Sequence, residues 1–191
     1  MRFSGLQGRW RVLVPLLLAM VLTMESATGA GGLRCGASAV DITPLRFPVS
    51  MTGGFQDRLA HRAHDRLHAR CLVLDDGATR IAMVICDSCL ITRDIYDVSK
   101  AIASRATGIP VNRILTSATH THSAPTAVPL AQCRPDEQYV QHLTEQVSQA
   151  IIAANDRLAP AHAGWGAVDV PAGADNLPVA DFFVRRVGTM V

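Results

Sequence analysis

Two histidines one residue apart stand in the string Thr119-His120-Thr121-His122-Ser123, directly after an apolar segment that reads as a strand ending near Ala118. In an extended segment residues two apart share a face, so the two imidazoles would project side by side from attachment points roughly 7 Å apart. Imidazoles so placed can share a metal ion, or one can ligate while the other meets a water or a substrate. The plainer reading is a pair of solvated loop histidines. Position favours a site, because ligands of open α/β sheets gather in the crevice beyond the carboxyl ends of the strands. Asp87 ends another apolar strand of the same region, and neighbouring strands would bring Asp87 and His120 to one rim.

The chain has five cysteines, Cys35, Cys71, Cys86, Cys89 and Cys133. Their odd number and irregular spacing do not resemble a small disulfide scaffold. Cys86 and Cys89 form C-D-S-C, which could be half a zinc site, but no second Cys/His pair follows at suitable spacing. A redox pair sits at a helix start, where the thiolate is stabilised, whereas Cys86 ends an apolar run. Both are therefore read as small apolar packing residues. A thiol oxidoreductase using Cys86 and Cys89 is the rival, and it would lose dithiol-dependent reduction of a model disulfide on substitution of Cys86.

The elements that must position these residues follow from periodicity and turn signals. Gly36 to Thr43 alternates weakly and stops at Pro44, a short strand. Leu45 to Ala60, punctuated by Pro48, Gly53 and Gly54, reads as loop, and His61, His64 and His68 follow. Ala69 to Leu74 and Arg80 to Ile85 flank Asp75-Asp76-Gly77, a hairpin signal. Thr92 opens a helix with Ile95, Val98, Ala101 and Ile102 on one face, and Gly108 with Pro110 closes it. Arg113 to Ala118 is the next strand, so strand, helix and strand predict a right-handed crossover and a parallel pair. A second helix spans about Pro135 to Leu158 on the stripe Tyr139, Leu143, Val147, Ile151 and Ala154. Ala161 to Val170 reads as a strand, and Val179 to Val191 ends on Arg185, Arg186 and a few apolar residues. The fold class expected is α/β, with a mixed sheet and at least one right-handed strand-helix-strand crossover.

With 191 residues, 49% of them hydrophobic and 18% charged, the chain fits one globular domain rather than a disordered segment. Arg2, Arg9 and Arg11 precede an apolar run from Val12 to Thr23, and Ala27, Thr28, Gly29 and Ala30 follow, the layout of a secretory signal peptide. That run is shorter than the ~20 residues a spanning helix needs. An uncleaved anchor is the other reading; either way the domain leaves the cytoplasm, secreted or periplasmic. Cleavage after Ala30 removes three of the 18 basic residues and one of the 16 acidic ones, leaving 15 of each. A neutral exported domain lacks the clustered Lys/Arg on which phosphate affinity rests, so nucleic acid is set aside as a partner.

A histidine pair alone has several contexts. The metallo-β-lactamase pattern H-x-H-x-D-H would require aspartate and histidine where Ala124 and Pro125 stand. In amidohydrolase barrels the pair follows the first strand, and here other strands precede it. The string Ser117-Ala118-Thr119-His120-Thr121-His122-Ser123 followed by Pro125 instead resembles the A-T-H-T-H-S-G-P signature of the neutral/alkaline, non-lysosomal ceramidases, with Ala124 in place of the glycine. Other segments agree in order: Gly36 to Pro44 resembles the start of that catalytic domain, His64 to Gly77 its D-x-L-x-A-R and strand-turn segment, and Arg80 to Asp87 its next strand.

The resemblance covers most of residues 33 to 186. With residues 1–30 read as signal peptide, it implies 31–191 as the N-terminal, incomplete portion of a ceramidase-like catalytic domain. The implied activity is a zinc-dependent amidohydrolase that splits ceramide into sphingosine and fatty acid, with a ceramide-like lipid as substrate and peripheral membrane contact to reach it. By position His120 would be the first zinc ligand. His122 would contact substrate or the attacking water, Asp87 would stand at the same rim, and Arg185 or Arg186 would correspond to a substrate-holding arginine. The family's remaining zinc ligands, a histidine, a glutamate and a tyrosine, would fall after Val191. His142, on a helix flank, and His162, at a strand start, are read as solvated and structural. The alternative from another class is an exported, non-catalytic module of the same fold that binds a lipid or a partner without metal.

Overall fold

The computed structural model describes residues 32–165 and the strand Phe182–Arg186; the expected signal segment, and residues 166–170 of the strand read at Ala161 to Val170, lie outside the described residues. The strands are β1 (Arg34–Asp41), β2 (Val49–Met51), β3 (Arg58–Ala60), β4 (His68–Asp75), β5 (Arg80–Cys86), β6 (Ile114–Ala118), β7 (Ala159–Trp165) and β8 (Phe182–Arg186), with helices α1 (Arg93–Thr107) and α2 (Glu137–Asp156). Six strands form one mixed sheet in the order β6-β5-β4-β1-β7-β8. The fold class is the α/β arrangement expected.

The β4–β5 hairpin is antiparallel, in register from Ala69 opposite Cys86 to Asp75 opposite Arg80. Its turn is closed by side chains: Asp75 accepts from the Gly77 N–H at 2.9 Å, and Asp76 accepts from Ala78 at 2.9 Å and Thr79 at 2.7 Å. Gly77 takes φ 89°, which a side chain would strain. The β5–α1–β6 crossover gives the parallel pair, Ala82 opposite Ile114 through Cys86 opposite Ala118. Gly108 ends α1 at φ 74°, its N–H donating to the Ser104 carbonyl at 2.9 Å.

Both helices bury their stripes against residues of alternate strand positions. Ala69, Cys71, Val73, Ala82, Val84, Cys86 and Ile114 form the covered face, and α2 lays Tyr139, Leu143, Val147, Ala150, Ile151 and Ala154 into that cluster. α2 is capped by Asp136, which accepts from the Tyr139 N–H at 2.8 Å, so the helix begins just inside Pro135. The buried face of α1 differs from the expected one. Ile95, Tyr96, Ser99 and Ala103 are buried, and Val98 is 52% exposed. The i, i+4 row through Ser99 prevails because its hydroxyl is satisfied at the helix seam, donating toward the Ile95 and Thr144 carbonyls. A small, satisfied side chain there lets α1 and α2 approach.

The opposite sheet face is also apolar: Leu72, Leu74, Ile81 and Met83 are half-buried, while Ile85 and Leu115 are exposed. Continuous apolar runs in β4 and β5 are the pattern of strands meant to be covered on both faces. β2 and β3 form a separate two-stranded sheet inside what reads as loop in the sequence. Three-residue strands broken by Gly53 and Gly54 are too short to display a period. No helix among the described residues is long and apolar enough to cross a membrane.

Charge closes the end of the sheet remote from the histidines. Asp75, 7% exposed, receives Arg80 at 3.0 Å and Arg34 at 3.3 Å, and Arg80 also donates to Asn155 of α2 at 3.0 Å. The Gly77 N–H, then the Arg80 and Arg34 guanidiniums, hold the Asp75 carboxyl below its ordinary value despite its burial. A carboxyl lowered by folding contributes stability that is present above its unfolded pKa of about 4 and is lost as pH falls through the folded value. Thermal midpoints measured across the acid range are expected to fall less steeply for Asp75→Asn than for the natural chain. Equal slopes would remove Asp75 from the account.

Candidate metal centre at the strand rim

Beyond Cys86 and Ala118 the two parallel strands release their loops at one end of the sheet. The Asp87 N–H still donates to the His68 carbonyl, and the Thr119 N–H to the Cys86 carbonyl, both at 2.9 Å. Both loops therefore leave the sheet from fixed positions. The β5 loop then carries Ser88, fully buried, and Cys89, 5% exposed, before Thr92 caps α1.

His120 does not continue the strand. It adopts φ 59°, a left-handed conformation rare outside glycine and associated with sites where surrounding structure stores strain. The extended spacing expected for the pair is thus replaced by a turn, yet the turn brings the rings together. Their centroids lie 5.2 Å apart at an interplanar angle of 62°. The His120 Nδ1 is 3.0 Å from the Cys89 carbonyl oxygen and 3.9 Å from the Cys89 Sγ. Ligand atoms of Cys89, His120 and His122 all lie within 4.8 Å of one another.

The β2–β3 hairpin clamps this loop from below. Thr52 donates to the Ala124 carbonyl at 3.3 Å, Thr126 to the Ser50 carbonyl at 2.9 Å, and Met51 bridges Pro125. Arg58 reaches the His122 carbonyl at 3.5 Å, and Cys133 anchors the same strand by donating its thiol to the Met51 carbonyl at 3.2 Å. Gly53, at φ 124°, sits so close that a Cβ there would lie 2.5 Å from the His122 Cβ and 2.8 Å from its Cγ. Gly53→Ala is expected to push the His122 ring aside and weaken zinc retention about tenfold or more, read by competition with a chelator. Unchanged retention in a folded variant would show that His122 does not need this seat.

The donors fit a divalent cation such as zinc. Tetrahedral zinc holds nitrogen at about 2.0–2.1 Å and sulfur at about 2.3 Å, which separates ligands by roughly 3.4–3.7 Å. A set spread over at most 4.8 Å reaches that spacing by closing about an ångström.

Asp87 stands at the same rim but is committed elsewhere. Its Oδ2 accepts from Arg70 at 2.7 Å and from the His68 N–H at 3.0 Å, and it is not among the clustered ligand atoms. Asp87, Thr121 and Ser123 instead line a neighbouring cleft of about 450 Å³, walled by Phe47, Val49 and Met51. His120 opens on a separate depression of about 440 Å³ with Cys89, Lys100 and Ser117. Arg185 is not brought to the rim. It lies on β8, opposite His162, at the far edge of the sheet from β6. β7 joins β1 only at Arg34 and Cys35, the end away from the rim, so five strand spacings of about 4.8 Å separate the edges. His142 lines a third depression beside Asp136, away from the rim histidines.

Cys89 is the residue the sequence reading missed. Its packing role is real, since it is buried, but its sulfur also faces an imidazole. The signals were the C-D-S-C spacing, set aside for want of a second Cys/His pair, and its place just past a strand end; its partner lies 31 residues later. Cys86 is a packing residue: it is fully buried on β5, and burial pushes its thiol up to about 12. A redox nucleophile needs access to solvent and the opposite shift, so neither the burial of Cys86 nor its raised thiol supports the thiol oxidoreductase reading.

A mixed α/β unit with a histidine-rich loop at the carboxyl end of a parallel strand pair defines the class. Two solved structures share its fold. One is neutral ceramidase from Pseudomonas aeruginosa, with a TM-score of 0.64 and 24% identity over 71% of this chain and 23% of that one. The other is a ceramidase complexed with C2, with a TM-score of 0.64 and 24% identity over 73% of this chain and 24% of that one. The chain thus spans about a quarter of the length of the ceramidases it matches, and it has the fold of that portion. No protein-family model and no curated protein matches it.

Proposed function

We propose that this chain carries the first metal-binding segment of a zinc-dependent amidohydrolase that hydrolyses the N-acyl bond of a ceramide-like lipid, yielding the sphingoid amine and a fatty acid. The observation that carries the reading is the seating of His120 and His122 together at the rim of a fold shared with ceramidases. An amide is a poor electrophile, and a bound divalent cation supplies acidity to water and polarises the carbonyl. His120 would be a ligand. His122, exposed beside it, would either share that ion or, left free of it, move a proton or hydrogen-bond the oxygen on which charge develops. The cleft walled by Phe47, Val49 and Met51 offers an apolar surface to a lipid chain, with the Thr121 and Ser123 hydroxyls at its edge.

Export follows from the arginine-flanked apolar leader of residues 1–30, and N-terminal sequencing of the exported product is expected to begin at Gly31. The central test is metal content and hydrolysis together. The chain, purified and supplied with zinc, is expected to retain the metal and to lose it to a chelator, and the enzyme that carries this segment is expected to release fatty acid from a short-acyl ceramide. A folded chain that holds no zinc would be the non-catalytic binding module instead.

A further inference from the structure

We propose that Cys89 is itself a metal ligand, so that Cys89, His120 and His122 form a sulfur-and-two-nitrogen site contained within this chain. The proposal rests on the reading of His120 as a ligand and adds to it a donor from the other loop of the crossover. Three observations converge. The ligand atoms of the three residues cluster within 4.8 Å, and no other group of three or more His, Cys, Asp or Glu side chains does so among the described residues. The Cys89 Sγ and His120 Nδ1 are 3.9 Å apart, a gap that a zinc with bonds of about 2.3 and 2.1 Å spans at roughly 125°, close to tetrahedral without any movement of that pair. Both loops are pinned where they leave the sheet, by the Asp87 and Thr119 N–H groups, so the juxtaposition is built into the parallel pairing of β5 and β6.

The tautomer of His120 separates this site from a two-histidine one. With a proton on Nδ1, the ring donates to the Cys89 carbonyl at 3.0 Å and its lone pair, on Nε2, points away from the sulfur. With the proton on Nε2, the Nδ1 lone pair faces the sulfur. Metal binding selects the second form, and the thiol proton leaves to solvent as the thiolate–metal bond forms. Thiolate is a soft donor, so the site would take zinc or copper in preference to magnesium or manganese.

Zinc-edge X-ray absorption on the zinc-loaded full chain is expected to show one sulfur at about 2.3 Å in the first shell. The cobalt-substituted chain should show a thiolate-to-cobalt charge-transfer band. Cys89→Ser is expected to abolish that band and to weaken zinc by about 100-fold or more, while Cys86→Ser leaves both in place. A zinc shell of nitrogen and oxygen alone, with the band absent, would overturn the Cys89 assignment and leave the histidine reading standing. Zinc that binds with sulfur but is indifferent to loss of His120 would overturn both, as would a folded chain that takes up neither metal. The absorption measurement uses the natural chain, so the outcome does not depend on whether the serine variant folds.

Discussion

Replacing His120 by asparagine is expected to strip the chain of zinc and to lower amide hydrolysis by at least about 1,000-fold, the loss of roughly 4 kcal/mol of transition-state stabilisation. Asparagine is the informative choice because it tolerates the left-handed φ of 59° that His120 adopts, whereas alanine adds backbone strain of about 1–2 kcal/mol. Asparagine therefore removes the imidazole and keeps the loop. His120 is exposed, and its ring gives up a hydrogen bond to the Cys89 carbonyl and its contact with the Cys89 sulfur, so the thermal midpoint should stay within a few degrees. The measurement is zinc per chain by elemental analysis beside fatty-acid release from a short-acyl ceramide. A variant that keeps its zinc and its rate would end the role given to His120.

The second large effect concerns the fold. Gly36 of β1 faces α2 so closely that a Cβ there would fall 1.9 Å from the Ala154 carbonyl oxygen and 3.0 Å from the Leu158 backbone nitrogen. Both neighbours are backbone, so no side chain can swing aside. The same strand is tied to the helix by the Ser38 hydroxyl, which donates to the Ala150 carbonyl at 2.7 Å. Gly36→Ala must part α2 from β1. That costs at least about 3 kcal/mol, the upper end of ordinary overpacking and a large share of a typical domain's stability. Thermal unfolding by circular dichroism should fall by roughly 6–12 °C or show no folded state. A midpoint within two or so degrees of the natural chain would mean that the helix accommodates the methyl elsewhere.

Much of the architecture was legible because it rests on local signals. Asp75-Asp76-Gly77 specifies its hairpin, since aspartate side chains take the turn's N–H groups and glycine takes the positive φ. Thr92, Gly108 and Pro110 bound α1 where expected, and the α2 stripe from Tyr139 to Ala154 is the buried one. Val98 was misplaced because periodicity weighs apolar residues, while the α1 seam is set by Ser99 and its satisfied hydroxyl. The β2–β3 hairpin was invisible for want of length, although it seats His122.

What the sequence by itself determined is which chemistry is available and on which loop: two imidazoles after a strand, with turn residues and apolar runs that make the strand and its crossover. Those are properties of neighbours along the chain, where a few residues of context decide the backbone. The tertiary structure alone decided what meets them. Parallel pairing of β5 and β6 carries Cys89 to His120 across 31 residues and leaves Asp87 with Arg70. Pairing of β8 with β7, and of β7 with β1, puts Arg185 on the opposite edge of the sheet, because strand order is a property of the whole sheet that no local stretch of sequence specifies.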